Sequence, residues 1–132
     1  VIERDETLRL AVSSWLSAAG MRVFSLPNME LAMRLCPNLG IDVVVLGRCC
    51  KDHGAAMTFV HAMRAHDPQM FFVIYKDPGR AEADICPSLR RFVVHLDRRC
   101  GATGLRHAVE AALDERRYAI SNDCSSTTSP VH

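Results

Sequence analysis

This sequence predicts a doubly wound α/β fold, with five parallel strands flanked by helices on both faces, and three observations carry the prediction. Strand-like runs of β-branched and aromatic residues alternate with runs of helical periodicity along the chain. Residues 41–46 (IDVVVL) are nearly continuous in apolar character, as suits a parallel strand covered on both faces. Residues 103–118 set Leu105, Ala108, Val109, Ala112 and Leu113 on one helical face, with Glu110, Arg116 and Arg117 on the outward side.

The elements follow in order. Val1-Ile2 reads as the last residues of a strand that empties into the polar cluster Glu3-Arg4-Asp5-Glu6. Leu8, Ala11, Val12, Trp15, Leu16 and Ala19 recur at helical spacing, and Gly20 supplies the stop. Residues 21–25 form a short β-like run. Pro27-Asn28 opens a second helix, with Leu31, Ala32 and Leu35 on one face and Pro37 closing it. After the 41–46 strand, a third helix spans about 55–66 and stops at Asp67-Pro68. Residues 70–75 are a fourth strand. Gly79 and Pro87 leave room for only a short or irregular fourth helix over 78–89, and residues 92–95 make the fifth strand. Beyond Tyr118 the composition turns to Ser and Thr, so 119–132 reads as a linker or disordered tail behind a domain over 1–118.

The chain has 132 residues, 48% of them apolar and 23% charged, which fits one globular domain and not a disordered segment. Its longest apolar run, 70–75, is far short of the ~20 residues that span a bilayer. No basic-then-apolar leader opens it. A net charge of +1 gives no electrostatic reason to expect nucleic-acid binding by this segment. The six cysteines, Cys36, Cys49, Cys50, Cys86, Cys100 and Cys124, show no CxxC pair and no zinc-ligand spacing. They read as reduced thiols of a cytoplasmic protein, with no metal and no cofactor implied.

In a doubly wound fold the site lies at the carboxyl ends of the strands, here residues 3–6, 47–54, 75–79 and 95–98. At those places the chain resembles a response-regulator receiver domain, a CheY-like fold. Val1-Ile2-Glu3-Arg4-Asp5, followed by Leu8-Arg9, is similar to the family's first strand and its acidic pair. Ile41-Asp42-Val43-Val44-Val45-Leu46 is similar to the strand that precedes the phosphorylated aspartate. Met63-Arg64-Ala65-His66-Asp67-Pro68 and the strand after it match in order and spacing, and Phe92-Val93-Val94 falls at the family's switch aromatic, Phe92.

The resemblance implies a phosphoryl transfer that needs an attacking carboxylate, acidic groups holding Mg²⁺, and a hydroxyl and a lysine that bind the phosphoryl group. This sequence departs from that set. Gly47 stands at the nucleophile position, and the acidic pair is Glu3-Arg4. The hydroxyl position falls on Lys76, or on Tyr75 with a one-residue slip, and the lysine position on His95. Only Glu3 keeps its character, so the resemblance implies a degenerate receiver. Arg4 and Lys76 are expected to converge with Glu3 and Asp5 in a fixed internal ion pair, with solvated side chains as the plainer alternative.

Cys49-Cys50 could form a redox or metal site with His53, His95 or Cys100, but adjacent cysteines make a strained disulfide, so ordinary thiols are the simpler reading. Arg90, Arg91, Arg98, Arg99 and Arg106, against only Asp97, make the most uneven charge patch. It is either a solvated face or, by the resemblance, a homodimer interface built on the fourth helix, fifth strand and fifth helix. Glu110, Asp114 and Glu115 would then supply cross-subunit carboxylates. The expectation is a phosphorylation-independent receiver, of the winged-helix transcription-factor class, that dimerises and controls a DNA-binding output domain outside this chain. The alternatives are a stand-alone pseudo-receiver that binds a protein or small ligand, and a small enzyme or redox sensor using Cys49 or Cys50.

Overall fold

The structure is a computed structural model, and it describes residues 1–47, 53–76 and 87–128. Helix α1 (Glu6–Ala18) starts where the Asp5 side chain accepts a hydrogen bond from the Leu8 N–H at 3.1 Å, with Glu6 favouring the positive end of the helix dipole. In α2 (Met29–Leu39), Asn28 plays the same part toward Leu31 at 2.8 Å. Gly40, at φ 66°, ends it in the left-handed conformation that glycine adopts without strain.

Pro37 therefore does not close α2, as the sequence suggested; it lies inside the last turn. A proline there keeps a helical φ and forfeits one bond, to the carbonyl of Met33, which sits on an exposed side where water can replace it.

Strands β1 (Val43–Leu46), β2 (Phe71–Lys76) and β3 (Val93–Asp97) form a parallel sheet in that order, with α3 (His53–His66) between the first two. Among the described residues three strands stand where five were expected. The other two are reduced to single parallel bridges, Ile2 to Leu26 and Ile2 to Leu46, and the run 21–25 forms no strand. The cause is visible in the backbone bonds. Ile2 donates to the Val45 carbonyl (2.8 Å), and Gly47 donates back to Ile2 (2.8 Å). On the far side Leu26 donates to Val1 (2.8 Å), and Glu3 donates to Leu26 (3.0 Å). Pairing is thus confined to residues 1–3, and the parallel layer reads Leu26, Ile2, β1, β2, β3.

The expected fourth-helix segment lies mostly outside the described residues; its end, Pro87–Leu89, is a single 3₁₀ turn. A second such turn, Arg98–Cys100, joins β3 to α4 (Gly101–Thr128), with the Asp97 side chain accepting from the Arg99 N–H at 2.8 Å. Helix α4 starts two residues before the expected 103 and runs ten beyond the expected 118, through most of the segment that composition alone marks as a tail. No glycine or proline interrupts 105–129.

The strands alternate between two packed layers. Val45, Val73 and Tyr75 meet Val12, Leu16, Leu105 and Val109 of α1 and α4. Val44, Leu46 and Phe72 meet Ala32, Cys36, Phe59, Val60 and Met63 of α2 and α3, with Phe59 edge-on to Phe72. Arg116, expected to point outward, instead turns inward: its guanidinium forms ion pairs with Asp42 and Asp67, each at 2.8 Å, and pins α4 to the amino ends of β1 and β2. Among the described residues no helix is long and apolar enough to cross a membrane.

Candidate functional site: a carboxylate held at the end of β1

Glu3 is 1% exposed and is the buried charged residue of the described core. It is carried inward because both backbone edges of residues 1–3 are bonded, which leaves its side chain over the carboxyl end of β1. Carboxylate Oε1 accepts from Arg98 Nη2 at 2.9 Å, and Oε2 accepts from the Asp5 N–H at 3.1 Å. The Glu3 carbonyl accepts from Arg9 Nη1 at 2.9 Å. Side-chain exposures of 12% for Arg98 and 2% for Glu3 put this ion pair largely out of water. There, removing one partner costs far more than at a surface.

Gly47 completes the geometry. A β-carbon at that position would lie 2.6 Å from Glu3 Oε1 and 3.0 Å from its carboxyl carbon. The carboxylate of Glu3 thus occupies the space a side chain at Gly47 would need, which accounts for the glycine. Arg98 is steadied from the other side: its guanidinium carbon lies 5.3 Å from the Tyr75 ring centroid, and the Tyr75 hydroxyl donates to its carbonyl at 3.4 Å. Burial pushes the Tyr75 phenol up, nearby Cys100 adds to this, and Arg98 works against it.

Of the residues singled out from sequence, Glu3 and Gly47 meet. Arg4 does not join them; it is exposed, and among the described residues Arg98 is a cation that pairs with the carboxylate. Asp5 contributes its backbone N–H to Glu3 and its side chain to the cap of α1. Lys76 closes β2 opposite Asp97, and its side chain lies outside the described residues. His95 pairs in register with Ile74, two positions short of the strand end, and Arg98, three residues on, is the side chain that reaches Glu3. Sequence reasoning placed Arg98 in an outward patch. The signal that could have moved it is Asp97, a helix-capping residue type directly before Arg98–Cys100, the 3₁₀ turn that carries Arg98 toward Glu3.

Phe92 is remote from this site. It precedes β3 at the opposite end of the sheet, 5.1 Å from Phe71 between ring centroids and 3.8 Å from the Arg64 guanidinium carbon. Of the interface residues expected from sequence, Arg106, Glu110 and Asp114 fall at four-residue spacing along α4. Arg90 and Arg91 are exposed near Phe92. Arg99 pairs with Asp97 (2.8 Å), Arg106 with Glu110 (3.3 Å) and Asp114 with Arg117 (3.7 Å), all within the chain. Cys49, Cys50 and the side chain of His53 lie outside the described residues. Among the described residues no group of three His, Cys, Asp or Glu is placed to hold a metal.

No family model matches this sequence, and no curated protein does. Solved structures do. NtrX from Brucella abortus, in complex with ADP, superposes with a TM-score of 0.80 at 16% identity over 98% of this chain. The fold is that of a receiver domain. A response regulator receiver domain protein from Clostridium thermocellum matches with a TM-score of 0.70 at 18% identity, covering 89% of this chain and 94% of its own. A response regulator receiver protein from Sinorhizobium medicae gives 0.65 at 20%, covering 87% and 92%. The chain spans 29% of the length of NtrX, and nearly all of the two receiver proteins. In receiver-fold terms, the Glu3–Arg98 pair and Gly47 lie at the carboxyl edge of the sheet, where doubly wound folds carry their sites.

Proposed function

We propose that this chain is the receiver module of an atypical response regulator that works without phosphorylation. The observation that supports this most is the coupling of Gly47 to Glu3. The position that the family resemblance gives to the acceptor aspartate has no side chain, and a carboxylate already paired with Arg98 fills its space. A phosphoryl group arriving there would find no side chain at Gly47 to attack it and would have to displace a buried ion pair.

In this reading, control comes through assembly. Two copies associate through the edge of the sheet at β3, where Val94 is 39% exposed and flanked by the exposed Arg91 and Arg99. Pairing raises the effective concentration of attached DNA-binding domains. Cytoplasmic location and an output domain joined through α4 belong to the same proposal.

The test is treatment with acetyl phosphate and Mg²⁺, read by intact mass and by sedimentation. The expected result is no added phosphoryl group and an association state that the donor does not change. Stoichiometric aspartyl phosphate, or a dimer that forms only with the donor, overturns the reading.

A further inference from the structure

Two guanidinium groups flank the Phe92 ring just before β3, Arg64 at 3.8 Å and Arg91 at 5.7 Å from its centroid. They are no further apart than those two distances laid end to end, and Arg90 is next in the chain. Such separations compare with the Debye length of about 10 Å at 0.1 M salt, so salt screens their repulsion only in part. The backbone beneath them is held. The Arg90 N–H donates to the Pro87 carbonyl at 3.4 Å and the Phe92 N–H to the Leu89 carbonyl at 2.9 Å, while the Phe92 carbonyl accepts from Phe72 at 2.8 Å.

Among the described residues no carboxylate pairs with Arg64, Arg90 or Arg91. Asp67, whose charge acts on Arg64, is taken up by Arg116 at 2.8 Å and by the Gln69 N–H at 2.9 Å. Arg64 Nη2 donates to the Pro68 carbonyl at 2.9 Å, which cancels no charge, and its Nε is buried with no acceptor. Burial pulls the Arg64 pKa down, and Asp67 opposes this.

We propose that this patch binds a phosphate chain, an oligophosphate either free or carried by a nucleotide. Three permanent cations call for a ligand with several negative charges, and the guanidinium fork matches phosphoryl oxygens. Stacking on Phe92 fixes the plane of Arg64 before a ligand arrives, which lowers the ordering cost of binding. A protein partner fits less well. The Phe92 ring is half-buried, and Phe71 and Leu89 beside it are each 2% exposed, so the patch offers no apolar centre for a protein interface to desolvate. The site needs one chain only, and it stands apart from the signalling proposal.

The experiment is calorimetric titration of the 132-residue chain with sodium tripolyphosphate, in low salt and without divalent cations. One site is expected. Arg90→Ala and Arg91→Ala are each expected to weaken it about tenfold. Arg64→Lys, which keeps the charge and the packing but loses the fork, is expected to weaken it similarly. Arg22→Ala removes an exposed arginine beside Phe24, near the opposite edge of the layer, and is expected to change nothing. Absence of binding overturns the proposal, as do three patch variants without effect, an equal loss in Arg22→Ala, or citrate bound as tightly as tripolyphosphate. ATP bound more tightly than tripolyphosphate assigns the chain to a nucleotide, and ATP bound no more tightly assigns it to a free oligophosphate; both support the site.

Discussion

At the scale of single residues, energy concentrates on Glu3. Its carboxylate has left water, so Arg98→Ala is expected to destabilise the fold by about 3–5 kcal/mol in chemical denaturation, because a buried carboxylate loses the guanidinium that pairs with it at 2.9 Å. Arg4→Ala should stay within about 0.5 kcal/mol, as for an exposed side chain with no buried role. Gly47→Ala is expected to cost about 1–3 kcal/mol through the contact with Glu3 Oε1. In the background of Glu3→Ala that cost should largely vanish, and a double-mutant cycle measures the coupling. Additive losses would mean that the two positions do not share space.

Cys36 supplies a pH prediction. Burial pushes its thiol up, so the neutral form is favoured in the fold. That contribution is complete below the unfolded thiol's pKa of about 8.5 and is lost as pH rises through the higher folded value. Stability should therefore decline on the alkaline side, less so in Cys36→Ala, as read from urea midpoints across pH. Glu3 and Gly47 were legible in the sequence because strand-end positions can be counted. Arg98 was not, because a three-residue turn redirects a side chain that counting leaves on the surface.

Among the elements, caps and breakers show what local pattern can convey. Asp5, Asn28 and Gly40 act where their chemistry suggests, and Asn28→Ala is expected to cost about 1 kcal/mol, measurable by thermal denaturation. Pro37 was misread because a proline ends a helix only where the bond it removes cannot be replaced. The length of α4 was misread for a related reason: polar composition marks a segment that buries little, not one that cannot be helical. Arg116 looked outward by periodicity, yet Asp42 and Asp67, far apart in sequence, converge on it. Arg116→Ala should lower stability by about 1–3 kcal/mol, and Arg117→Ala, on the exposed flank, by much less.

For the molecule as a whole, alternating periodicities were enough to give parallel strands between two helical layers, since each strand buries both faces. The number of strands was not, because a bridge becomes a ladder only when the neighbouring backbone continues. Sedimentation of β3 edge variants tests the assembly reading at this scale: Val94→Lys is expected to shift the chain toward monomer, with little loss of fold stability. One geometric relation remains. Helix α4 begins directly after the turn that carries Arg98 and continues for 28 residues, about 42 Å at 1.5 Å per residue. One unbroken helix thus ties the turn beside the ion pair to the clasp that Arg116 makes with Asp42 and Asp67 at the other end of the sheet.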